Sequence, residues 1–320
     1  MRVVVLCGGR SSEHDVSLRS GAAVAKGLEE AGHEPIQVTV SREGPWSHEN
    51  GPVALSPGSG LLGAEAVFPA LHGPFGEDGS VQGLLEWLDI PYVGSDVLAS
   101  AICMDKLTLK RLFADHGLPQ VGFAAVDEAG WRDRCEAMGL PLWVKPSRLG
   151  SSVGISKVES LTELDAAVER ARRHDPRVIV EAHASGREVE CSLLGNEEVE
   201  VSLAGEVVAH GDWYDYETKY ADGGMELVVP APIPEEQTTL LRELAVEAFE
   251  LAGCAGLARC DFFVAPDRIL VNEINTMPGF TETSVYAKLW EATGLSYPDL
   301  CDRLIDLAIE RHAQARSHEF

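Results

Sequence analysis

The 320-residue sequence carries 51 acidic and 26 basic residues, a formal charge of −25, and is 45% hydrophobic. So acidic a chain is a poor general partner for nucleic acid or an anionic membrane. Its length predicts two or three compact units, and its apolar content suffices to fill their cores.

Residues 2–7 (RVVVLC) read as a buried parallel strand, followed by a glycine turn and a helix through VSLRSGAAVAKGLEEAG that stops at Gly32. The opening MRVVVLCGG is interrupted by glycine too early for a signal peptide. EPIQVTV and AEAVFPALHG are the next strands, and SVQGLLEWLDI is a helix. This alternation predicts an open, Rossmann-like parallel sheet. DVLASAICMDKLTLKRLFADHG reads as one helix ending at Gly117, with a domain boundary near residue 100 inside it. LPLWVKP and VGISKV are strands around a Gly/Ser loop, and SLTELDAAVERARR is a helix with a Ser160–Glu163 capping box. RVIVEAHA closes the second unit near residue 181.

The last third runs as strands REVECSLLG and EVEVSLAGEVVAH, a polar loop GDWYDYETKYADGGME with the composition of a lid, and the helix PEEQTTLLRELAVEAFELAG. Strands GLARCDFFV and RILVNEIN and C-terminal helices follow. The expected units are therefore 1–100, 101–181 and 182–320. No apolar run approaches the roughly 20 residues that cross a bilayer. Cysteines at 7, 103, 135, 191, 254, 260 and 301 are odd in number and form no CxxC. They predict reduced thiols in a cytoplasmic protein, with no disulfide framework or zinc site.

The strand VNEIN puts Glu273 and Asn275 on one face, and LARCDFF does the same for Arg259 and Asp261. APDR between them reads as a hairpin turn. With the turn centred near Pro266–Asp267, paired residue numbers sum to about 533 or 534, which sets Asp261 opposite or next to Glu273. Two carboxylates and an amide are hard oxygen donors suited to Mg²⁺ shared with phosphate. Arg259 adds the cation that phosphoryl transfer requires. The cationic side is Lys145 before a loop with Gly150, Ser151, Ser152 and Gly154, whose N–H groups can cover phosphates. Lys106 is a further candidate, and Glu13 is placed near a helix start rather than in a core, where it can receive an ammonium. His72, Glu77 and Asp78 lie among glycines, where a polar residue taken singly is more often structural.

GGRSSEHDVSLRSG, HGPFGEDGSVQG, MDKLTLK, VKPSRLGSSVGISKV, YDYETKY, ARCDFFV and VNEINTMPGFTETSVYAKLWEATGLSY occur in this order over nearly the whole chain. Together they resemble the D-alanine–D-alanine ligases of the ATP-grasp superfamily. The resemblance implies a mixed α/β and α+β ATP-grasp fold with an N-terminal Rossmann-like domain. It also implies condensation of two D-alanines through a D-alanyl phosphate for peptidoglycan synthesis, driven by ATP with two Mg²⁺ ions, Mn²⁺ being a possible substitute. A cytoplasmic homodimer is implied, with no nucleic-acid or membrane partner.

By motif position, Asp261, Glu273 and Asn275 match the metal ligands, and Arg259 with the Gly279 N–H matches the oxyanion binder. Lys106, Lys145, Ser152 and Lys219 match phosphate contacts, Glu181 the adenine edge and Glu188 the ribose contact. Glu13 and His72 match the first-alanine subsite, Ser151 and Tyr220 a loop–lid pair, and Ser284 the contact for the second substrate's carboxylate. Tyr220 favours D-alanine over D-lactate or D-serine as second substrate. Ala182 and His183 depart from the larger or basic side chains common at the adenine edge, and Leu149 from an acid in some members. A non-catalytic nucleotide-binding module would have lost the metal ligands or Arg259. A dehydrogenase would show GxGxxG, which is missing.

Overall fold

A computed structural model describes residues 1–209 and 225–318. The first sheet contains β1 (Arg2–Gly8), β2 (Glu34–Val40), β3 (Trp46–His48), β4 (Gly51–Pro52) and β5 (Ala66–Pro69), in the order β4-β3-β2-β1-β5. It is parallel only across β2-β1-β5. The short β3 and β4 add an antiparallel edge, so the sheet is mixed rather than parallel throughout. Helix α1 (His14–Glu30) buries Val16, Val24, Ala25 and Leu28 on one stripe. The β1–α1 turn requires glycine at position 8, where φ is +90° and a Cβ would stand 2.4 Å from the Val40 carbonyl oxygen. Helix α2 is Ser80–Leu88.

The helix expected to run unbroken to Gly117 is two helices, α3 (Val97–Met104) and α4 (Lys106–His116). Asp105 between them is extended (φ −92°, ψ 96°) and caps α4 by accepting the Thr108 N–H at 3.2 Å. Its carboxylate also accepts from Ser147 Oγ at 2.7 Å and pairs with Arg177. The Lys106 N–H donates to the Ser147 carbonyl at 2.9 Å. The break ties the start of α4 to the end of β7 (Leu142–Pro146).

The second sheet has the order β6-β9-β7-β8, antiparallel throughout, where β6 is Phe123–Ala125, β8 Ser156–Val158 and β9 Val178–Ala182. Helices α5 (Trp131–Met138) and α6 (Leu164–Arg172) cover it. The expected capping box is redistributed: Ser160 Oγ accepts from the Thr162 N–H, and Glu163 accepts from Glu159, not Ser160. A short 3-10 turn (Leu161–Glu163) precedes α6, which moves the helix start past the box.

The third sheet is antiparallel, β13-β12-β10-β14-β15, with β11 also on β10. Its strands are β10 (Arg187–Gly195), β11 (Val199–Val201), β12 (Gly205–Ala209), β13 (Met225–Val228), β14 (Gly256–Ala265) and β15 (Arg268–Asn275). EVEVSLAGEVVAH is thus two strands, β11 and β12. Helix α7 (Glu235–Leu251) packs on this sheet. Helices α8 (Val285–Thr293) and α9 (Tyr297–Ala315) return to the first sheet, where Trp290, Leu300 and Leu304 join one core with Val3, Val5 and Phe68. Burying each such side chain contributes about 1.5–3 kcal/mol. All seven cysteines are free and buried. Among the described residues no helix is long and apolar enough to cross a membrane.

Candidate active site

The β14–β15 hairpin meets both register expectations. Past the strand bulge Arg259 faces Asn275 and Asp261 faces Glu273, sums of 534; nearer the turn Phe262 faces Val271 and Ala265 faces Arg268, sums of 533. The irregularity between Asp261 and Phe262 changes the register by one residue. On the other side of β14, Glu190 of β10 lies opposite Asp261. Three carboxylates therefore stand in a row across three strands. The sequence reading missed Glu190, although it shares the face of Glu188 two residues away, a signal that strand period supplied.

Arg259 holds this acidic row together. Its Nε lies 2.7 Å from Asp261 Oδ1 and 2.9 Å from Glu190 Oε2, and its Nη2 donates to Asp261 Oδ2 at 2.7 Å. Asn275 Nδ2 donates to the same Oδ2 at 3.1 Å. Burial works against the Arg259 charge, but Asp261 and Glu190 raise its pKa well above the ordinary guanidinium value. Lys106 Nζ lies 3.7 Å from Glu273 Oε2 and donates to the Leu149 carbonyl at 3.0 Å. Among the described residues no group of three or more His, Cys, Asp or Glu side chains is arranged to hold a metal. The donors Asp261, Glu273 and Asn275 form a partial set of hard oxygens facing cationic side chains. That chemistry fits Mg²⁺ completed by phosphate oxygens and water.

Deeper in the cleft, Glu181 is 3% exposed and meets Lys145 Nζ at 2.6 Å and Lys110 Nζ at 3.2 Å. Burial alone would raise the Glu181 carboxyl, and the two lysines bring it down to about 2. Lys110 went unnoticed in the sequence, although it lies one helical turn from Lys106. The loop after β7 carries Ser151 and Ser152 at φ +52° and +58°. Two successive non-glycine residues in this region store about 1–3 kcal/mol each, held by surrounding contacts.

Glu13 stands at a helix start as expected, at the N-cap position of α1, but it is buried, 7% exposed, where a place outside a core was expected. Its side chain caps nothing in α1 and instead receives the Ser151 hydroxyl, joining the first sheet's turn to the Ser151 loop. His72 is also buried. Its Nδ1 lies 3.0 Å from the Met277 carbonyl, which can only accept, so Nδ1 carries the proton. Nε2 then accepts from Ser20 Oγ at 2.8 Å, and Ser20 Oγ accepts the Phe280 N–H at 3.3 Å. Burial lowers the His72 pKa, with Glu13 opposing, which fits a neutral ring. Ser284 starts α8 and bonds the Thr281 N–H at 3.0 Å, and a Cβ on Gly279 would stand 3.4 Å from its hydroxyl.

All the described candidates line one cleft of about 710 Å³: Glu13, His72, Lys106, Lys145, Ser151, Ser152, Glu181, Glu188, Arg259, Asp261, Glu273, Asn275, Gly279 and Ser284. Lys219 and Tyr220 lie outside the described residues.

Glu77 also lines this cleft. Burial, and then the nearby Glu13 charge, push its carboxyl up to about 8, while Oε1 accepts the Gly73 N–H at 2.6 Å. The folded state thus binds a proton that the unfolded chain releases near its ordinary value of 4.5. The Glu77 contribution to stability is fully present below that value and is lost as pH rises toward about 8. Glu77→Gln is expected to flatten this part of the stability curve, measured as urea midpoints between about pH 5 and 8. A slope equal to the parent's would contradict a protonated Glu77.

The family model described as D-ala D-ala ligase C-terminus matches residues 112–306, and that described as D-ala D-ala ligase N-terminus matches 2–59 and 54–95. A protein named D-alanine–D-alanine ligase from Solibacter usitatus is 44% identical over 100% of this chain and 99% of its own length. One of the same name from Deinococcus radiodurans is 45% identical over 97% of this chain and 98% of its own. The solved D-alanine-D-alanine ligase from Coxiella burnetii superposes with a TM-score of 0.90 at 36% identity, covering 99% of this chain and 96% of that one. The VanG D-Ala:D-Ser ligase from Enterococcus faecalis gives 0.86 at 34% identity, covering 96% and 99%.

Proposed function

The chain belongs to the D-alanine–D-alanine ligase family, and from that premise we propose that it joins two D-alanines to D-alanyl-D-alanine with conversion of ATP to ADP and phosphate. The product would serve peptidoglycan precursor synthesis. The observation that carries this reading is the acidic row Glu190–Asp261–Glu273 with Arg259, set in one cleft with Lys106 and Lys145. The division into 1–100, 101–181 and 182–320 belongs to the same proposal, one sheet to each unit.

A carboxylate does not condense with an amine at neutral pH without an activated leaving group. In the proposed reaction one D-alanine carboxylate attacks the terminal phosphorus of ATP, giving D-alanyl phosphate and ADP. The amine of the second D-alanine attacks the acyl carbon, and phosphate departs from the tetrahedral intermediate. Asp261, Glu273 and Asn275 would hold Mg²⁺, which supplies positive charge to the phosphoryl oxygens. Lys106, Lys145 and the Ser151–Ser152 loop would hold the phosphates, Glu181 and Glu188 the nucleoside. Glu13, beside neutral His72, would receive the first alanine's ammonium. Arg259 and the Gly279 N–H would face the oxyanion, and Ser284 the second carboxylate. Lys219 and Tyr220 keep their proposed phosphate and loop–lid roles on motif position alone.

The test is phosphate release from ATP and Mg²⁺ with D-alanine alone, and with D-alanine plus D-serine or D-lactate. Release with D-alanine alone, and dipeptide among the products, is expected. Silence with D-alanine alone but release in a mixture would change the acceptor. Silence throughout, from folded protein that binds ATP, would sink the catalytic reading.

Gly73→Ala tests the first-alanine subsite. At φ +72° its Cβ would stand 2.4 Å from Glu13 Oε2, so the carboxylate must move. A displacement of about 1 Å can lower kcat/KM by about 10². Steady-state kinetics should show a raised D-alanine KM, with the ATP KM little changed. An unchanged D-alanine KM would remove Glu13 from the subsite.

A further inference from the structure

Two lysines converge on one buried carboxylate, and they differ in what else they can reach. Lys145 and Glu181 line the cleft; Lys110 does not. The Lys145 side chain is 16% exposed and that of Lys110 only 2%. Lys110 Nζ sits 3.2 Å from Glu181 Oε1 yet makes no well-formed hydrogen bond. Its ammonium is held there mainly by charge. Lys145 bonds the opposite oxygen, Oε2, at 2.6 Å.

If Lys145 stood alone, it would have to neutralise Glu181 and bind an incoming anion with the same charge. Turning away would strand a buried carboxylate, an arrangement that proteins strongly resist. With Lys110 in place, Glu181 keeps a counter-charge whichever way Lys145 points. Helix α4 thus delivers two ammonium groups one turn apart, Lys106 into the cleft and Lys110 beneath it. Burial lowers the Lys110 pKa and Glu181 opposes it; for Lys145 burial also works against the charge, but Glu181 prevails.

We propose that Lys110 is a positioning residue of the nucleotide subsite: it supplies the standing counter-charge of Glu181 and so leaves the Lys145 ammonium to a phosphate oxygen. This rests on the nucleotide reading of the cleft given above.

The experiment compares the full chain with Lys110→Met, which removes the counter-charge, and with Lys110→Arg, which keeps it. Titration calorimetry with ADP and Mg²⁺ gives the nucleotide Kd, steady-state rates give the D-alanine KM, and melting reports the fold. Lys110→Met is expected to weaken ADP binding by about tenfold with the D-alanine KM unchanged. Lys110→Arg should retain most of the parent affinity, since a guanidinium at this position still neutralises Glu181. Parent-like ADP binding by Lys110→Met would overturn the proposal. So would a Lys110→Arg variant that binds ADP no better than Lys110→Met, or a D-alanine KM that rises together with the ADP Kd. If Lys110→Met does not fold, Lys110→Arg decides: parent-like ADP binding supports the proposal, while weakened or absent binding overturns it. A parent protein that binds no ADP overturns the nucleotide reading itself.

Discussion

Arg259→Met is expected to lower kcat by roughly 10²–10³, the size of losing a preorganised partner for transition-state charge. The ion pairs add a second expectation. Arg259 is the counter-charge of both Asp261 and Glu190, at 2.7 and 2.9 Å. Its removal takes the guanidinium counter-charge from two enclosed carboxylates, which costs about 3–5 kcal/mol of stability. A dead methionine variant would therefore confound catalysis with folding. Arg259→Lys separates them: the charge stays while the two-pronged contact to Asp261 is lost. Single-turnover phosphate release and urea unfolding on both variants measure the two effects. A change confined to KM would move Arg259 to a binding role, and an unaltered urea midpoint in the methionine variant would contradict the ion-pair account.

Glu273→Gln should abolish turnover while leaving a folded protein. Glu273 stands directly opposite Asp261, and its side chain is 27% exposed, so the amide is tolerated sterically and by the surrounding water. What it loses is the negative charge that faces Lys106 and would help hold the Mg²⁺ on which phosphoryl transfer depends. Phosphate release as a function of Mg²⁺ concentration is the measurement. Activity restored by raising Mg²⁺ would mean that Glu273 contributes affinity alone. Activity near that of the parent at ordinary Mg²⁺ would withdraw it from the metal set.

The β14–β15 hairpin was legible because a strand repeats every two residues and a short turn fixes the register. Arg259, Asp261, Glu273 and Asn275 could be placed on one face with no other information. The family resemblance rests on motifs spread along the chain, and all of them but MDKLTLK (104–110) fall within the ranges of the matched family models, 2–95 and 112–306. The bulge at Asp261/Phe262 was not legible, and yet both register sums occur because of it.

The chain by itself determined the alternation of strands and helices, the acidic face of the hairpin and the family. These depend on local period and on residue types in a fixed order. Only the tertiary structure decided which charges neutralise one another. Asp105 breaks a helix whose local propensity runs on, because Ser147, just after β7, and Arg177, just before β9, meet its carboxylate. Glu13 is buried because Ser151, far along the chain, closes over it. Lys110 looks like a solvated lysine until β9 sets Glu181 against it. Coulomb and desolvation energies depend on distance in space and on burial, and neither can be read from separation along the sequence.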